Sequence, residues 1–409
     1  MTPQIKQRLD QIQRGELPVG YKRTKAGVVP VEWEEKRIGD VLTQRKTLQC
    51  ISIDAPLLSF TIEEGIIDPT DKKSNKRDFL IKDMATKKFA LTEVGDIIYN
   101  PANLKFGAIH RNNLCRGVVS PIYGIFHGAQ NSYFMGYLLH NQRFIDYAKI
   151  YTEGTVEKLK TLSADTFKKL KVTLPPLKEQ DKIAKILSAQ DKLIALKEKL
   201  IEEKKRQKKY LMQQLLTGKK RLPGFDGEWE IARLKDVATY ATKRSVMPQN
   251  SYLSTENILP NYSGVDFFDG DLSTEGVCFQ SDDILLSNIR PYLKKAWLSD
   301  RTGICSADIL VLRATKIKAK YLYYIIARDE FVDYVMNGVK GTKMPRGDKQ
   351  HILQMEFDFP SLQEQSAIIN ILSTADRELD LLSHALNQEK QKKKALMQLL
   401  LTGIVRVNP

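Results

Sequence analysis

Residues 177–218 read LKEQDKIAKILSAQDKLIALKEKLIEEKKRQKKYLMQQLLTG, and residues 362–403 read LQEQSAIINILSTADRELDLLSHALNQEKQKKKALMQLLLTG. A shift of 185 positions aligns the two without a gap, and 19 of the 42 positions are identical. The identities include Glu179/Glu364, Gln180/Gln365, Ile183/Ile368, Asp191/Asp376, Lys205/Lys390 and the closing Leu-Leu-Thr-Gly. An internal repeat of this length sets the architecture before any local motif does.

Each copy predicts one long helix. Ile183, Ile186, Leu187, Leu193, Ile194, Leu200, Ile201, Leu211 and Leu215 follow a three-four rhythm, as do Ile368, Ile371, Leu372, Leu379, Leu382, Leu386, Leu396 and Leu400. Pro175, Pro176 and Pro360 stand just before the helices, and Gly218 and Gly403 suit their C-terminal caps. At 1.5 Å per residue each helix would span roughly 55–60 Å. A narrow stripe of that length favours pairing with another helix, and the partner at hand is the other copy.

Similarity extends beyond the helices. Trp33-Glu34 with Asp40-Val41 returns as Trp229-Glu230 with Asp236-Val237, at a shift of 196. Phe144-Ile145-Asp146-Tyr147 returns as Phe331-Val332-Asp333-Tyr334, and Gly154-Thr155 as Gly341-Thr342, both at 187. The chain thus divides into an N-terminal strip (1–21), a divergent region (22–174), a long helix (175–218), a second divergent region (219–359) and a second long helix (360–409). Within the divergent regions, Asp96-Ile97-Ile98-Tyr99, Val118-Val119, Asp283-Ile284-Leu285-Leu286 and Ile309-Leu310-Val311-Leu312 predict buried strands. Residues 133–147 and 321–336 predict helices. The fold class is α+β: two globular regions, each with one curved or barrel-like sheet and helices on one side, joined by two antiparallel helices in an intramolecular coiled coil with a pseudo-two-fold repeat.

The chain has 409 residues, 42% of them hydrophobic, and carries a formal net charge of +15. Such a surplus points to a polyanionic partner. No apolar run approaches the ~20 residues of a membrane span. The N-terminus predicts a short amphipathic helix through Ile5, Leu9 and Ile12 and has no apolar signal core. Cys50, Cys115, Cys278 and Cys305 are scattered, which suits free thiols in a reducing cytoplasm.

Lys204, Lys205, Arg206, Lys208 and Lys209 cluster in the first helix, and Lys390, Lys392, Lys393 and Lys394 in the second. In an antiparallel pair these segments meet Asp376, Glu378 and Asp380, or Asp191. They serve either structural pairing or contact with DNA or a partner subunit.

Paired antiparallel helices would hold the two globular regions at opposite ends of a rod. The resulting pseudo-dyad matches that of duplex DNA, whose half-sites face one side when about one turn, ~34 Å, apart. Because the two regions differ in sequence, the half-sites should differ, with the rod fixing the spacer. Candidate DNA contacts lie on loops that follow predicted strands. The first loop offers Asn100, Asn103 and Lys105; its counterpart offers Asn288, Arg290, Tyr292, Lys294 and Lys295. A further pair follows Gly154 and Gly341: Lys158 and Lys160 in one, Lys343 and Arg346 in the other. Arginine suits guanine edges, asparagine adenine edges and lysine phosphates.

Catalytic fingerprints are lacking. There is neither a GxGxxG opening a helix nor a GxxxxGK[ST] phosphate loop. Asn100-Pro101-Ala102-Asn103 lacks the second proline and the aromatic of the amino-methyltransferase loop, and no glycine-rich cofactor strand precedes it. The five histidines form no metal-binding spacing.

The arrangement resembles the DNA-specificity subunit of type I restriction-modification systems. The residues that carry the likeness are Leu174-Pro175-Pro176-Leu177-Lys178-Glu179-Gln180, its echo Phe359-Pro360-Ser361-Leu362-Gln363-Glu364-Gln365, and Leu-Leu-Thr-Gly closing both helices. The segments 287–295 and 341–346, and Leu222-Pro223-Gly224-Phe225 leading to Trp229-Glu230, are similar too. The first half departs from the pattern: its loop lacks the arginine, and Val156-Glu157-Lys158 replaces Lys343-Met344-Pro345. The resemblance implies a non-catalytic cytoplasmic subunit with two target-recognition domains that read a split, asymmetric site in double-stranded DNA. It implies docking on the helices of DNA adenine methyltransferase subunits, two of them, which bind S-adenosylmethionine, with restriction subunits that use ATP and Mg joining the complex. A regulator that binds DNA alone is the rival reading; it would dimerise through its helices and need no methyltransferase.

Overall fold

A computed structural model describes residues 2–24, 27–71, 86–153, 161–248, 251–266, 273–339, 341 and 343–407; Lys158 and Lys160 lie outside them. The chain forms two compact units, one of Met1–Leu196 with Leu386–Pro409 and the other of Lys197–Ala385.

The long helices run over Leu177–Leu215 and Leu362–Leu400, 39 residues each. In the first unit Ile183, Ala184 and Leu187, from the start of one helix, share a core with Leu400 and Leu401, from the end of the other. In the second unit Ile368 and Leu372 share a core with Met212, Leu215 and Leu216. The helices are therefore antiparallel within each unit. Polar contacts agree with that register. Lys393 reaches Asp191 at 2.6 Å and Gln190 donates to Glu389 at 2.8 Å, while Lys204 reaches Glu378 at 2.7 Å and Lys208 pairs with Asp376. Structural pairing thus occupies Lys204, Lys208 and Lys393. Lys209 turns instead to Asp329, at 2.6 Å.

Each unit closes on a short antiparallel ribbon that joins the segment after the repeated tryptophan to the strand before the helix. Glu34–Arg37 pairs with Lys171–Leu174, and Glu230–Arg233 with Glu356–Phe359. In the first unit a four-stranded sheet runs in the order Ile109–Arg111, Ile97–Tyr99, Gly124–His127, Thr43–Gln44, and a three-stranded sheet in the order Gly117–Val119, Phe89–Thr92, Leu48–Gln49. The second unit has two four-stranded sheets. One orders Ala238–Tyr240, Ile309–Ala314, Ile284–Ser287 and Ala296–Leu298; the other orders Arg244–Pro248, Ser273–Phe279, Gly303–Cys305 and Tyr252–Leu253.

A single curved sheet per unit, expected from the sequence, is thus replaced by several. The physical reason lies in the central strands. Ile97 and Tyr99 face the main core of the first unit while Ile98, between them, faces a second core. Ile284 and Leu286 likewise face one core and Leu285 another. Because successive side chains point to opposite faces, a strand that is apolar at every position is buried on both sides. Each central sheet is therefore a wall between two cores, not the lining of one barrel. The expected single helices are also divided. Ser132–His140 and Gln142–Lys149 are separated by Asn141, whose extended backbone and side-chain oxygen cap the second helix at the Arg143 N–H. Ala319–Ile326 and Asp329–Asn337 are separated at the extended Arg328.

Candidate nucleic-acid interface

The strand that delivers each candidate loop is fixed at its start by a buried carboxylate. Asp96 is 2% exposed, accepts two hydrogen bonds from Arg45 at 2.8 and 2.9 Å, and accepts the Glu93 N–H at 2.8 Å. Asp283 is fully buried, accepts two from Arg313 at 2.7 Å each, and accepts the Gln280 N–H at 2.9 Å. A two-pronged guanidinium–carboxylate pair of this kind sets geometry as well as energy. Each aspartate holds its guanidinium charged, raising the arginine pKa through the hydrogen bonds. The aspartates are related by the same shift of 187, a signal open to sequence reading; their arginines come from unrelated positions, so the clamps themselves were not.

Past the strand both units make a similar turn. In the first, Asn100 is followed by a short 3-10 helix, Leu104–Phe106, that ends at Gly107 with φ +90°. In the second, a 3-10 helix, Pro291–Leu293, lies between Arg290 and Lys294, both left-handed at φ +52° and +54°. Gly107 and Lys294 correspond in the repeat, so only the first unit uses the residue that adopts this conformation without strain.

The second candidate segment is brought against the first in the second unit. Ile289 and Arg346 form a β-bridge. The Arg290 N–H donates to the Pro345 carbonyl at 2.9 Å, and the Gly347 N–H to the Asn288 carbonyl at 3.1 Å. Gly347 fits because a Cβ there would stand 2.9 Å from the Asn288 side-chain oxygen. The two loops predicted separately from sequence therefore form one surface. Arg290, Tyr292, Lys343 and Arg346 are exposed on it. Arg346 pairs with Asp308 at 3.1 Å, a carboxylate the sequence reading missed. Among the described residues the Arg290 and Lys343 side chains make no hydrogen bond or ion pair.

Other candidates of the second unit are turned inward. Lys294 is bound to Asp329 at 2.5 Å, Lys295 to the Thr255 carbonyl at 2.8 Å, and the Asn288 side-chain oxygen is buried. In the first unit the Asn100 side chain accepts the Ala102 N–H at 3.0 Å, which shapes the turn, and Asn103 is half-buried beside it. Lys105 lies over the Phe106 ring at 5.3 Å. The Leu162 N–H donates to the Pro101 carbonyl at 3.0 Å, so the segment after residue 160 joins this loop as 345–347 joins the other.

The first unit also contains a cavity of about 650 Å³, lined in part by His110, Arg111, Tyr133, Gly136, Tyr137 and His140. The His110 and His140 rings lie 4.4 Å apart. Each hands one ring nitrogen to a backbone carbonyl, of Ile62 at 2.7 Å and of Ile109 at 2.8 Å. Burial first, and the neighbouring His140 second, push the His110 pKa down to about 4. The positions of the second unit that correspond to these histidines, Trp297 and Ala327, carry no imidazole. No helix of the described residues is long and apolar enough to cross a membrane.

Comparison with known proteins agrees with the duplicated architecture. The family described as the type I restriction modification DNA specificity domain matches twice, over residues 30–206 and 226–391. The type I restriction enzyme MjaVIII specificity subunit of Methanocaldococcus jannaschii is 25% identical over 93% of this chain and 94% of its own length. The Escherichia coli EcoDI specificity subunit is 28% identical over 43% of this chain and 40% of its own. Among solved structures, the type I restriction-modification system S subunit from M. genitalium superposes with a TM-score of 0.55 at 16% identity, covering 90% of this chain and 96% of that one. A chain from a study of assembly and conformational transition of the type I R-M system gives 0.56 at 14% identity, covering 92% and 99%. With two matched domains spanning most of its length, this chain belongs to the type I restriction-modification DNA specificity subunit family.

Proposed function

We propose that this specificity subunit reads a split, asymmetric site in double-stranded DNA, one half with each unit, and performs no catalysis itself. The observation that carries the reading is a similar loop scaffold built twice, with different residues at its tip: Asn103 and Lys105 in one copy, Arg290, Tyr292, Lys343 and Arg346 in the other. A common scaffold presents the loops; unlike tips select unlike bases. The net charge of +15 supplies the sequence-independent attraction to phosphate. The long helices, each contributing to both units, set the spacer and dock two DNA adenine methyltransferase subunits. S-adenosylmethionine belongs to those subunits, and ATP with Mg to a restriction subunit that joins them in the cytoplasm.

The test is co-purification with a methyltransferase subunit, followed by mapping of methylated adenines in DNA exposed to the complex. A split motif with a fixed spacer is the expected outcome. Exchange of residues 22–174 for those of a relative should then alter one half-site only. Methyl transfer by the chain without a partner, or selective DNA binding with no partner bound, would overturn the reading.

A further inference from the structure

We propose that Arg290 determines one base of the half-site read by the second unit, by contacting a guanine edge, and that its left-handed backbone exists to present it. The proposal rests on the DNA-specificity reading above and deepens it. Four observations converge on this residue. Arg290 is exposed, and among the described residues its side chain has no hydrogen-bond or ion-pair partner. Of the neighbouring cations, Lys294 is held by Asp329, Lys295 by Thr255 and Arg346 by Asp308, which leaves Lys343 as the other uncommitted one. Its backbone is in the left-handed region, φ +52° and ψ +63°, which an arginine adopts only when its surroundings impose it. Those surroundings are visible: the N–H is held by Pro345 at 2.9 Å, the carbonyl accepts the Leu293 N–H at 2.9 Å, and Ile289 before it is bridged to Arg346.

A strained, over-determined backbone beneath an uncommitted guanidinium is a poor arrangement for stability. It is a good one for aiming a planar two-pronged donor, since the rigid base removes the freedom that binding would otherwise have to suppress. Guanine offers O6 and N7 side by side in the major groove, the acceptor pair that fits an arginine fork. The repeat places Asn103 at the corresponding position of the first unit. Its φ is negative, at −113°, not left-handed, and its amide fits adenine rather than guanine. The same slot on the two scaffolds would thus read two different bases.

The experiment compares the wild-type chain with Arg290→Gly and Arg290→Asn. Each is purified with its methyltransferase subunits and allowed to select sites from a randomised duplex DNA pool, and the unfolding midpoint of each full-length chain is measured. Glycine accepts the left-handed conformation, so the midpoint of Arg290→Gly should not fall. Its selected sites should lose preference at one guanine of one half-site, with affinity for the wild-type site reduced roughly ten- to hundredfold. Arg290→Asn should shift the preference at that same position and leave the other half-site unchanged. Uniform weakening with no change in the selected bases would make Arg290 a phosphate contact and overturn the proposal. Changes in both half-sites, or a lowered midpoint for Arg290→Gly, would also overturn it. If the wild-type complex selects a split motif that Arg290→Gly leaves intact, only this proposal fails. If the wild type selects no split motif, the specificity reading fails with it.

Discussion

Arg406 grips Glu179 across 227 positions of sequence, its Nε and Nη2 standing 2.8 and 3.0 Å from the two carboxylate oxygens. The carboxylate is 1% exposed, and it also accepts the Trp33 indole N–H at 3.2 Å. The second unit repeats the ion pair but not the indole bond: Arg221 holds Glu364 at 2.9 and 2.8 Å, 185 positions separate Arg221 from Arg406, and the buried Trp229 indole N–H has no hydrogen-bond partner among the described residues. In each unit the arginine that follows one long helix neutralises the glutamate that begins the other.

Removing that arginine should be costly, because it strands a buried carboxylate. Arg406→Ala is expected to destabilise the first unit by about 3 kcal/mol, toward the low end for a broken buried pair because the Arg406 side chain is partly exposed. Arg406→Lys keeps the charge, loses the two-pronged geometry and should recover only part of the loss. Thermal unfolding of the two variants checks the order; equal stability of wild type and Arg406→Ala would show that the pair contributes nothing.

The closing glycines of the helices should respond unequally to alanine. Both adopt φ +67°, so each substitution strains the backbone by about 1 kcal/mol. At Gly218 a Cβ meets nothing closer than the Trp229 ring at 3.6 Å, whereas at Gly403 it would stand 2.5 Å from Pro30 and 3.0 Å from Trp33. Trp33 is fully buried and cannot move aside. Gly403→Ala is therefore expected to cost about 1–3 kcal/mol more than Gly218→Ala, read as the difference in denaturant midpoint.

Acid should weaken the first unit before the carboxylates titrate. In the unfolded chain His110 binds a proton near pH 6.5, whereas in the fold it does so only at about 4. Below 6.5 the unfolded state therefore takes up protons that the folded state refuses, and stability falls as pH drops through that window, by at most about 1.4 kcal/mol per pH unit. His140, also held neutral chiefly by burial, acts in the same direction. His110→Gln should flatten the stability profile between pH 6.5 and 4. An unchanged slope would mean that the pair is protonated within the fold.

Lysines that looked alike in sequence should separate in a salt titration. Lys343→Ala removes an exposed, uncommitted cation of the loop surface and should lower the slope of log affinity against log salt by about one. Lys295→Ala removes a cation bonded to Thr255 and should leave that slope unchanged while reducing stability. Equal slopes for both variants would remove Lys343 from the interface.

Much of the architecture is legible in the chain because it is written in local periodicity. The three-four rhythm of Ile183, Leu187 and Ile201 defines a helix and its buried stripe without reference to anything distant, and the duplicated stretch announces that whatever forms once forms twice. The lysines at 204, 208 and 393 could be matched to Glu378, Asp376 and Asp191 because an antiparallel repeat implies their register. The division of residues 133–147 into two helices was less visible, since Asn141 interrupts no apolar pattern and acts through a single capping bond.

Sequence alone determined the repeat, the two long helices, the α+β class and the positions of the loops, all of which follow from spacing along the chain. Only the tertiary structure decided that Arg406 belongs to Glu179, that the loops at 287–295 and 343–347 share one surface, that Ile97 and Ile98 face different cores, and that Arg290 is left uncommitted while Lys294 is not. A side chain's availability is set by what stands opposite it. In a folded chain that neighbour is supplied by segments tens to hundreds of residues away, with no periodicity to announce it.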